Sequence, residues 1–573
     1  LWTKLPGSKS AGRVQSVALR LVNDREGEIE VFKPQEYWTI AADFHTPTSQ
    51  PLHTRLHTFE NKKVEKFSFT NETMAKEAQH ILEKKEYAVS RLDSKEVKRH
   101  PSAPFITSTL QQEASRKLRY GAKRTMQIAQ RLYEGIDVNG ESIGLITYMR
   151  TDSVIVSQEA IESARDVIKN MYGQNYVPSA PRVYKTKAKN AQEAHEAIRP
   201  TDMSRTPDQL KHVLETDQWA LYDLIWKRTL ASQMESALFN QITLDATSHD
   251  HTAIFRATGS TLVFDGFLKV YEEGRDEEND DKTTLLPKVQ TKDALNLQKV
   301  TKDQHFTQPP PRYTEASLVK NLEELGIGRP STYATIMGTL LERKYVKLDK
   351  RALVPESLGR LVTTFLVEYF PKFIEYDFTA SMEQHLDEVS HGQENWKALL
   401  KSFWDPFYEA VGVAKNLRIS DVLTMLDQAL ATYLYDNGND EGRQCPKCTT
   451  GQLHLKLSKF GGFLGCNHYP TCDYTRKFHT NDDTNDDTTE FLEPRVLGHD
   501  PRTDETMTVR RGPYGFYIQW GDGTKTEKPR RVALPKATNP LTLSLEEALE
   551  ITALPKVLGQ DPETQETISV AIG

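Results

Sequence analysis

The sequence predicts a multidomain chain of mixed α/β and α+β class that ends in small β-rich modules. Three observations carry this prediction. At 573 residues the chain is several times the length of an ordinary domain. Stretches with helical apolar spacing alternate with stretches rich in β-formers. All four cysteines fall between positions 445 and 472, and a Val-Leu-Gly-x-Asp-Pro hexapeptide occurs twice near the C-terminal end. Hydrophobic residues at 38% and charged residues at 27% supply packed cores and exclude a wholly disordered chain. No apolar run approaches the roughly 18–20 residues of a membrane helix, so a soluble body is expected. No secretory pattern opens the chain, and Leu1 begins in mid-pattern, so a fragment is expected.

The elements follow in order. Residues 10–33 predict a helix, with Val14, Val17, Ala18, Leu21 and Val22 at helical spacing and Arg20, Asp24 and Arg25 on the other faces. Beyond Pro34, residues 37–44 and 87–92 predict strands joined by polar connections. Ser108 with Gln111 has the form of a capping box, opening a helix that carries Leu110, Ala114 and Leu118. Met126, Ala129, Leu132 and Tyr133 mark a second helix, ended near Gly135. Residues 207–236 predict helix and 242–267 predict strands. After the prolines at 309–311, Leu318, Leu322 and Leu325 form one helix face closed by Gly326. Pro330 suits the first turn of the next helix, which carries Ile336 and Leu340. Met382, Leu386 and Val389 mark a further amphipathic helix. The hexapeptide at 496–501 recurs at 557–562, and both copies continue through Thr and Glu (Thr503 and Glu505; Thr564 and Glu566). The first copy runs on through 512–519 and the second stops at Gly573, so an incomplete second repeat is expected.

Lys and Arg number 73 against 80 Asp and Glu, a net charge of −7. The average hides patterning: segments 272–282 and 479–490 are strongly acidic, whereas 95–154 is net basic, which leaves nucleic acid open as a partner. The cysteines read C-x2-C-x17-C-x5-C. A disulfide framework would spread them to close long loops, whereas one tetrahedral Zn²⁺ needs them together. Thiolates from Cys445, Cys448, Cys466 and Cys472 close the coordination shell, so a structural zinc ribbon and a reducing compartment are expected. Phe460, Phe463, Tyr469 and Tyr474 either pack this small module or stack on unpaired bases.

The run at 144–153, GLITYMRTDS, carries the most chemistry. A short apolar strand delivers Tyr148 and, two residues on, Arg150 to one side of the chain. A phenolate can attack phosphorus and store the bond as a phosphotyrosine ester, while a guanidinium neutralises the phosphoryl oxygens. Read alone, such a tyrosine is an ordinary core or surface residue.

The run resembles the active-site segment of the type IA DNA topoisomerases. Four further segments match in the same order: SAGRVQS (10–16), TSTLQQEASRKL (107–118), AHEAIRPT (194–201) and RYTEASLVKNLEELGIGRPSTYATI (312–336). With the zinc ribbon and glycine-rich repeats, the chain is most similar to the bacterial topoisomerase I branch of that family.

The resemblance implies an isomerase that relaxes negatively supercoiled DNA without ATP, through a 5′-phosphotyrosyl intermediate, strand passage and religation. It implies Tyr148 as nucleophile, Arg150 as the cation on the scissile phosphate, and His195 as a phosphate contact or proton carrier. It implies that Ser10, Ala11, Gly12, Arg13, Val14 and Gln15 line a single-strand groove, with Arg329, Thr332 and Arg343 holding DNA nearby. The local pattern at 326–332 agrees, since it sets a cation and hydroxyls before a helix.

The implied architecture is the family's toroid of helical domains and a β-rich arch. A split single-strand-groove domain (1–35 and 306–415) and a split arch (36–107 and 236–305) would flank a helical gate (108–235). A zinc ribbon (440–478) and C-terminal repeats (491–573) would follow. In the family an N-terminal Toprim domain precedes SAGRVQS and binds the catalytic Mg²⁺. That domain is expected to be missing from this chain, which by itself is then expected to bind DNA with little or no cleavage. Expected partners are single-stranded and supercoiled DNA, with the C-terminal repeats a candidate surface for RNA polymerase or another protein. A cytoplasmic, nucleoid-associated monomer is expected. Two rival readings are a non-enzymatic single-strand-binding protein and a decatenase of the topoisomerase III kind.

Overall fold

The computed structural model describes residues 3–138, 140–185, 195–274, 285–435, 440–458, 461–476, 494–512, 515–521, 529–535, 538, 540, 543–553, 556–560 and 567–570. Ala194, Phe460, Tyr514, the acidic run 479–490 and most of 272–282 lie outside these residues. The chain divides into two compact units, Leu1–Phe478 and His479–Gly573.

In the first unit the chain opens with helix α1 (Arg13–Glu30) and then enters strands β1 (Glu36–His45), β2 (Pro51–Phe59), β3 (Lys62–Lys63) and β4 (Tyr87–Arg99), with α2 (Glu72–Glu83) between. It leaves this sheet for a helical block: α3 (Thr107–Glu113), α4 (Ala122–Glu134), the hairpin β5 (Ile136–Val138) and β6 (Glu141–Ile143), α5 (Gln158–Tyr172), α6 (Pro207–Leu210) and α7 (Thr216–Ser232). It then returns to the sheet as β7 (Ala237–Ser248), β8 (Ala253–Phe264) and β9 (Ala294–Phe306). All ladders are antiparallel in the order β1-β9-β4-β7-β8-β2-β3, and β1 also pairs with β2, so the sheet closes on itself. Closure removes the open edges that a flat sheet would present. Alternate residues point inward: Trp38, Ile40, Ala42 and Phe44 of β1 are buried around Tyr87 and Phe255. The helical block has its own core, in which Leu110, Ile128, Leu132, Leu145, Ile146, Met149 and Trp226 meet.

The remaining helices are α8 (Glu315–Glu324), α9 (Tyr333–Glu342), α10 (Ser357–Tyr369), α11 (Tyr376–Ser390), α12 (Trp396–Asn416), α13 (Ile419–Ala429) and α14 (Ala431–Leu434), with the hairpin β10 (Val346–Asp349) and β11 (Ala352–Pro355). All but α12 share a third core with α1, where Val17, Leu21, Leu318, Ile336 and Phe365 are buried together. The cysteine module β12 (Leu453–Ser458), β13 (Gly461–Cys466) and β14 (Thr475–Arg476) is continuous with that core.

Three local expectations need correction. Ser108 is not a cap: Ile106 is the N-cap of α3, because Thr109 Oγ1 accepts from Ile106 N (3.0 Å) and Thr107 is already helical. Pro330 lies outside its helix, since Thr332 is the N-cap of α9 and its hydroxyl accepts from Arg329 N (2.9 Å). In α11 Leu386 is exposed, and the buried positions are Thr379 and Glu383. There, packing follows ion pairs to Glu383 rather than the apolar period.

In the second unit β15 (Arg495–His499), β16 (Thr506–Gly512), β17 (Gly515–Trp520) and β18 (Arg531–Ala533) form one antiparallel sheet, followed by α15 (Leu545–Thr552) and the pair β19 (Lys556–Gln560) and β20 (Thr567–Val570). The sequence repeat is a structural one. The β15–β16 register shifts between Val496 and Gly498, and the β19–β20 register shifts at the corresponding Val557 and Gly559. Trp520 is buried at 2% exposure, and its indole N–H donates to the Asp500 carboxylate (3.0 Å), so this aromatic belongs to the β core.

Candidate active-site cleft and zinc centre

Three separated sequence motifs meet around residues 144–153. Leu145 N donates to Leu132 O of α4 (2.7 Å), and a Cβ at Gly144 would stand 2.6 Å from Tyr133 O, so glycine permits this close approach. On the other side, Thr201 N donates to Leu145 O (3.0 Å) and Thr147 N to Arg199 O (2.9 Å). Thr147 Oγ1 donates to Ala197 O (2.7 Å) and accepts from Arg199 N (3.0 Å). The start of α3 supplies the third side, where Thr107 N donates to Thr151 O (2.9 Å).

Leu145, Ile146 and Met149 point into the core, Tyr148 is half-buried and Arg150 is exposed. The Tyr148 ring lies between two aromatic neighbours, edge-on to Tyr133 (5.4 Å between centroids) and tilted against His195 (5.3 Å). Tyr148 and Arg150 both line a cleft of about 850 Å³ whose walls are α4 and α9. Lys123, Gln127 and Arg131 line it from α4, and Thr335, Thr339 and Glu342 from α9. A phenolic hydroxyl and a solvent-facing guanidinium suit an anionic, extended ligand, and two further cations stand beside them on carboxylates, Lys123 on Glu342 and Arg131 on Glu215. The cations of α4 were legible as a polar face, because Lys123, Gln127 and Arg131 are spaced four apart.

The predicted groove residues fall at the start of α1. Tyr345 OH accepts from Lys9 N (3.0 Å) and Ser10 N (2.9 Å) and donates to Ser10 O (2.8 Å), fixing the approach to the helix. Ala11, Gly12 and Arg13 line a smaller apolar recess of about 260 Å³, beside Phe365, Phe370 and Phe407. Val14 packs against the core, and Gln15 Nε2 reaches Ser10 Oγ (3.4 Å). Arg13 pairs with Glu383, and Arg329 pairs with Asp387 (2.5 Å) and Glu383 (3.7 Å), so α11 gathers both guanidiniums. Those carboxylates carry no sequence signal linking them to either arginine. Arg343 follows the last residue of α9, at the end opposite Thr332 and Arg329, and the structure does not bring it together with them.

A second cleft, of about 590 Å³, lies between the start of α3 and helices α8 and α11, lined by Ser108, Thr151, Asp152, Glu323, Arg329 and Asp387 among others. Burial pushes the Glu323 carboxyl above its ordinary range, and the charges of Glu324 and Asp152 add to this. Asp93 is occupied elsewhere, paired with Arg91.

The four cysteines are free thiols whose sulfurs converge. Cys445 Sγ to Cys472 Sγ and Cys448 Sγ to Cys466 Sγ are both 3.7 Å. Four thiolates at about 2.3 Å from a central Zn²⁺ have tetrahedral edges of about 3.8 Å, so the donor set fits the ion. A Cβ at Gly451 would stand 2.5 Å from Cys466 Sγ, so glycine is what lets the sulfurs close in. Around the site Tyr474 packs inward, Phe463 is partly covered and Tyr469 is 68% exposed. The buried Asp427 of α13 ties the module down, accepting from Tyr435 OH (2.5 Å) and Leu455 N (2.8 Å) and pairing with Arg443.

The DNA topoisomerase family model matches residues 1–401, the topoisomerase DNA binding C4 zinc finger matches 442–481, and the topoisomerase C-terminal repeat matches 500–563. DNA topoisomerase 1 of Rickettsia felis is 47% identical over 577 residues, covering 100% of this chain and 74% of that protein. DNA topoisomerase 1 of Xylella fastidiosa (strain Temecula1) is 42% identical over 581 residues, covering 100% of this chain and 62% of that one. The full-length topoisomerase I of Thermotoga maritima superposes with a TM-score of 0.65 at 35% identity, covering 84% of this chain and 73% of that structure.

Proposed function

Because the chain belongs to the type IA DNA topoisomerase family, with the bacterial topoisomerase I proteins, we propose that the α4–α9 cleft is where it cleaves and rejoins one DNA strand. The family activity is ATP-independent relaxation of negatively supercoiled DNA. The zinc finger and C-terminal repeat matches favour this over the topoisomerase III reading. One observation carries the assignment: Tyr148 and Arg150 face a single cation-lined cleft, with the His195 ring against the tyrosine.

In this reading the Tyr148 phenolic oxygen attacks the scissile phosphorus. An oxygen–phosphorus bond forms to the tyrosine, the bond to the 3′ oxygen breaks, and that oxygen takes up a proton as the 3′-hydroxyl. The new ester keeps the bond energy, so the hydroxyl reverses the attack after strand passage without ATP. Arg150 offsets the charge on the phosphoryl oxygens, and His195 contacts phosphate or carries the proton. Arg13 and Arg329, now on carboxylates, exchange them for backbone phosphates as single-stranded DNA enters past Ser10, Ala11, Gly12, Val14, Gln15 and Thr332. Arg343, at the opposite end of α9, contacts DNA away from these groups.

The proposed domains are the groove (1–35 and 306–415), the arch (36–107 and 236–305) and the gate (108–235). Supporting this division, α1 with α8–α11, α13 and α14, the closed sheet and the helical block each centre on a separate apolar core. The ribbon (440–478) holds structural Zn²⁺, and the repeats (491–573) offer a contact for DNA or for a protein such as RNA polymerase. Mg²⁺ is taken by the Toprim domain in the family. Among the described residues no group of His, Cys, Asp and Glu with metal-ligand geometry lies at the Tyr148 cleft. A nucleoid-associated cytoplasmic monomer completes the proposal, and no helix among the described residues is long and apolar enough to cross a membrane.

Plasmid relaxation tests the assignment. The intact enzyme relaxes a negatively supercoiled plasmid without ATP, and Tyr148→Phe abolishes relaxation while leaving single-strand affinity within about twofold. Relaxation that survives Tyr148→Phe would contradict the proposal.

A further inference from the structure

We infer that Thr107 is a positioning residue for strand cleavage, its hydroxyl setting the backbone on both sides of Arg150. The inference rests on the proposed role of the Tyr148–Arg150 segment. Thr107 has 0% exposure and is the first residue of α3. Its Oγ1 lies 2.7 Å from Met149 O and 3.0 Å from Thr151 O, and it accepts from Thr151 N at 2.9 Å. Its own N–H, one of those that a helix start leaves without an intrahelical partner, donates to Thr151 O (2.9 Å).

One side chain thus holds the carbonyl before Arg150 and both backbone groups of the residue after it. This matters because, among the described residues, no continuous strand runs beside 149–155. Hydroxyls take the place of a ladder: Thr151 Oγ1 accepts from Ser153 N (3.0 Å) and Ser153 Oγ from Ile155 N (3.2 Å). All three hydroxyl residues are buried, so water cannot stand in for a lost bond. With its flanking peptides pinned, Arg150 has a fixed Cα and only side-chain freedom, and Tyr148 is one residue from the same clamp. The clamp also has a mechanical input. Helix α3 packs on α8, and Ile106, Ser108 and Thr151, the neighbours and partner of Thr107, line the cleft that carries Glu323 and Arg329. Seating α3 on α8 is thereby communicated to the cleaving segment through Thr107.

The test compares Thr107→Val and Thr107→Ser in the intact enzyme. Thr107→Val keeps the shape and removes the hydroxyl, and Thr107→Ser keeps the hydroxyl. The readouts are the rate of covalent adduct formation on a single-stranded oligonucleotide, the affinity for that oligonucleotide in a Tyr148→Phe background, and the melting temperature. Thr107→Val slows adduct formation on the order of 100-fold, the penalty expected for a misplacement near 1 Å. Affinity stays within about twofold, and Thr107→Ser restores the rate. A wild-type rate in Thr107→Val overturns the inference, and so does an affinity loss that parallels the rate loss. If Thr107→Val does not fold, Thr107→Ala, which removes the hydroxyl without crowding the site, is read in the same assay. Slow cleavage with intact binding then supports the inference, and wild-type cleavage overturns it. An adduct that persists in Tyr148→Phe alone would instead remove the underlying assignment, whatever Thr107 does.

Discussion

Glu323 shows how a single residue couples the seam between α3 and α8 to pH. Its carboxyl is raised by burial and by the neighbouring Glu324 and Asp152 charges, so the folded state binds its proton more tightly than the unfolded chain does. Stability from this group is therefore fullest below the ordinary carboxylate range and falls as pH rises through the raised folded value. Above the ordinary carboxylate range the burial of this side chain therefore costs stability. Glu323→Gln is predicted to raise the melting temperature at pH 7.5 and to leave it unchanged near pH 4; calorimetry at the two pH values checks this, and equal shifts at both would contradict it. Residue chemistry of this kind was only partly readable in advance. The Tyr148–Arg150 pair stood out because alternation along an extended chain puts both on one side, and the structure keeps that relation. The partners of Arg13 and Arg329 did not stand out. Glu383 lies 370 positions from Arg13, and no local pattern records an ion pair of that range.

Elements were legible where period and punctuation agree. α4 ends at Gly135, whose φ of 134° is one that side-chain-bearing residues avoid, and α8 is followed by Gly326 at φ 71°. Element starts were harder to read. At α3 the Ser-x-x-Gln pattern pointed two residues too late, because Thr107 is fixed by the distant 149–151 segment rather than by its own turn. At α9 the Thr332 hydroxyl serves the Arg329 turn, which keeps Pro330 out of the first helical turn. α11 shows the remaining limit. Its apolar period was correctly read as helix, but the face it buries is chosen by Glu383 and its arginine partners, leaving Leu386 in solvent. The closure of the sheet was beyond the sequence altogether, since β1 finds β9 and β4 finds β7 across the whole helical block.

At the scale of the molecule, the zinc module is part of the groove-side core rather than an appendage. Leu453, Leu455 and Leu464 share one apolar cluster with Val422, Leu426, Leu361 and Val362, and Asp427 bonds the two together. Removing zinc is predicted to loosen α10 and α13 as well as the ribbon, while the closed sheet, with its separate core, keeps its protection. Hydrogen exchange before and after chelation checks this, and a change confined to 445–476 would contradict it. The central claim concerns Tyr148, and one experiment addresses it most directly. The intact enzyme is incubated with a labelled single-stranded oligonucleotide and Mg²⁺, denatured and digested, and the nucleotide-bearing peptide is located by mass spectrometry. The predicted adduct sits on Tyr148, carries the strand through its 5′-phosphate, and vanishes in Tyr148→Phe. Tight single-strand binding with no adduct, or an adduct on another residue, would contradict the claim.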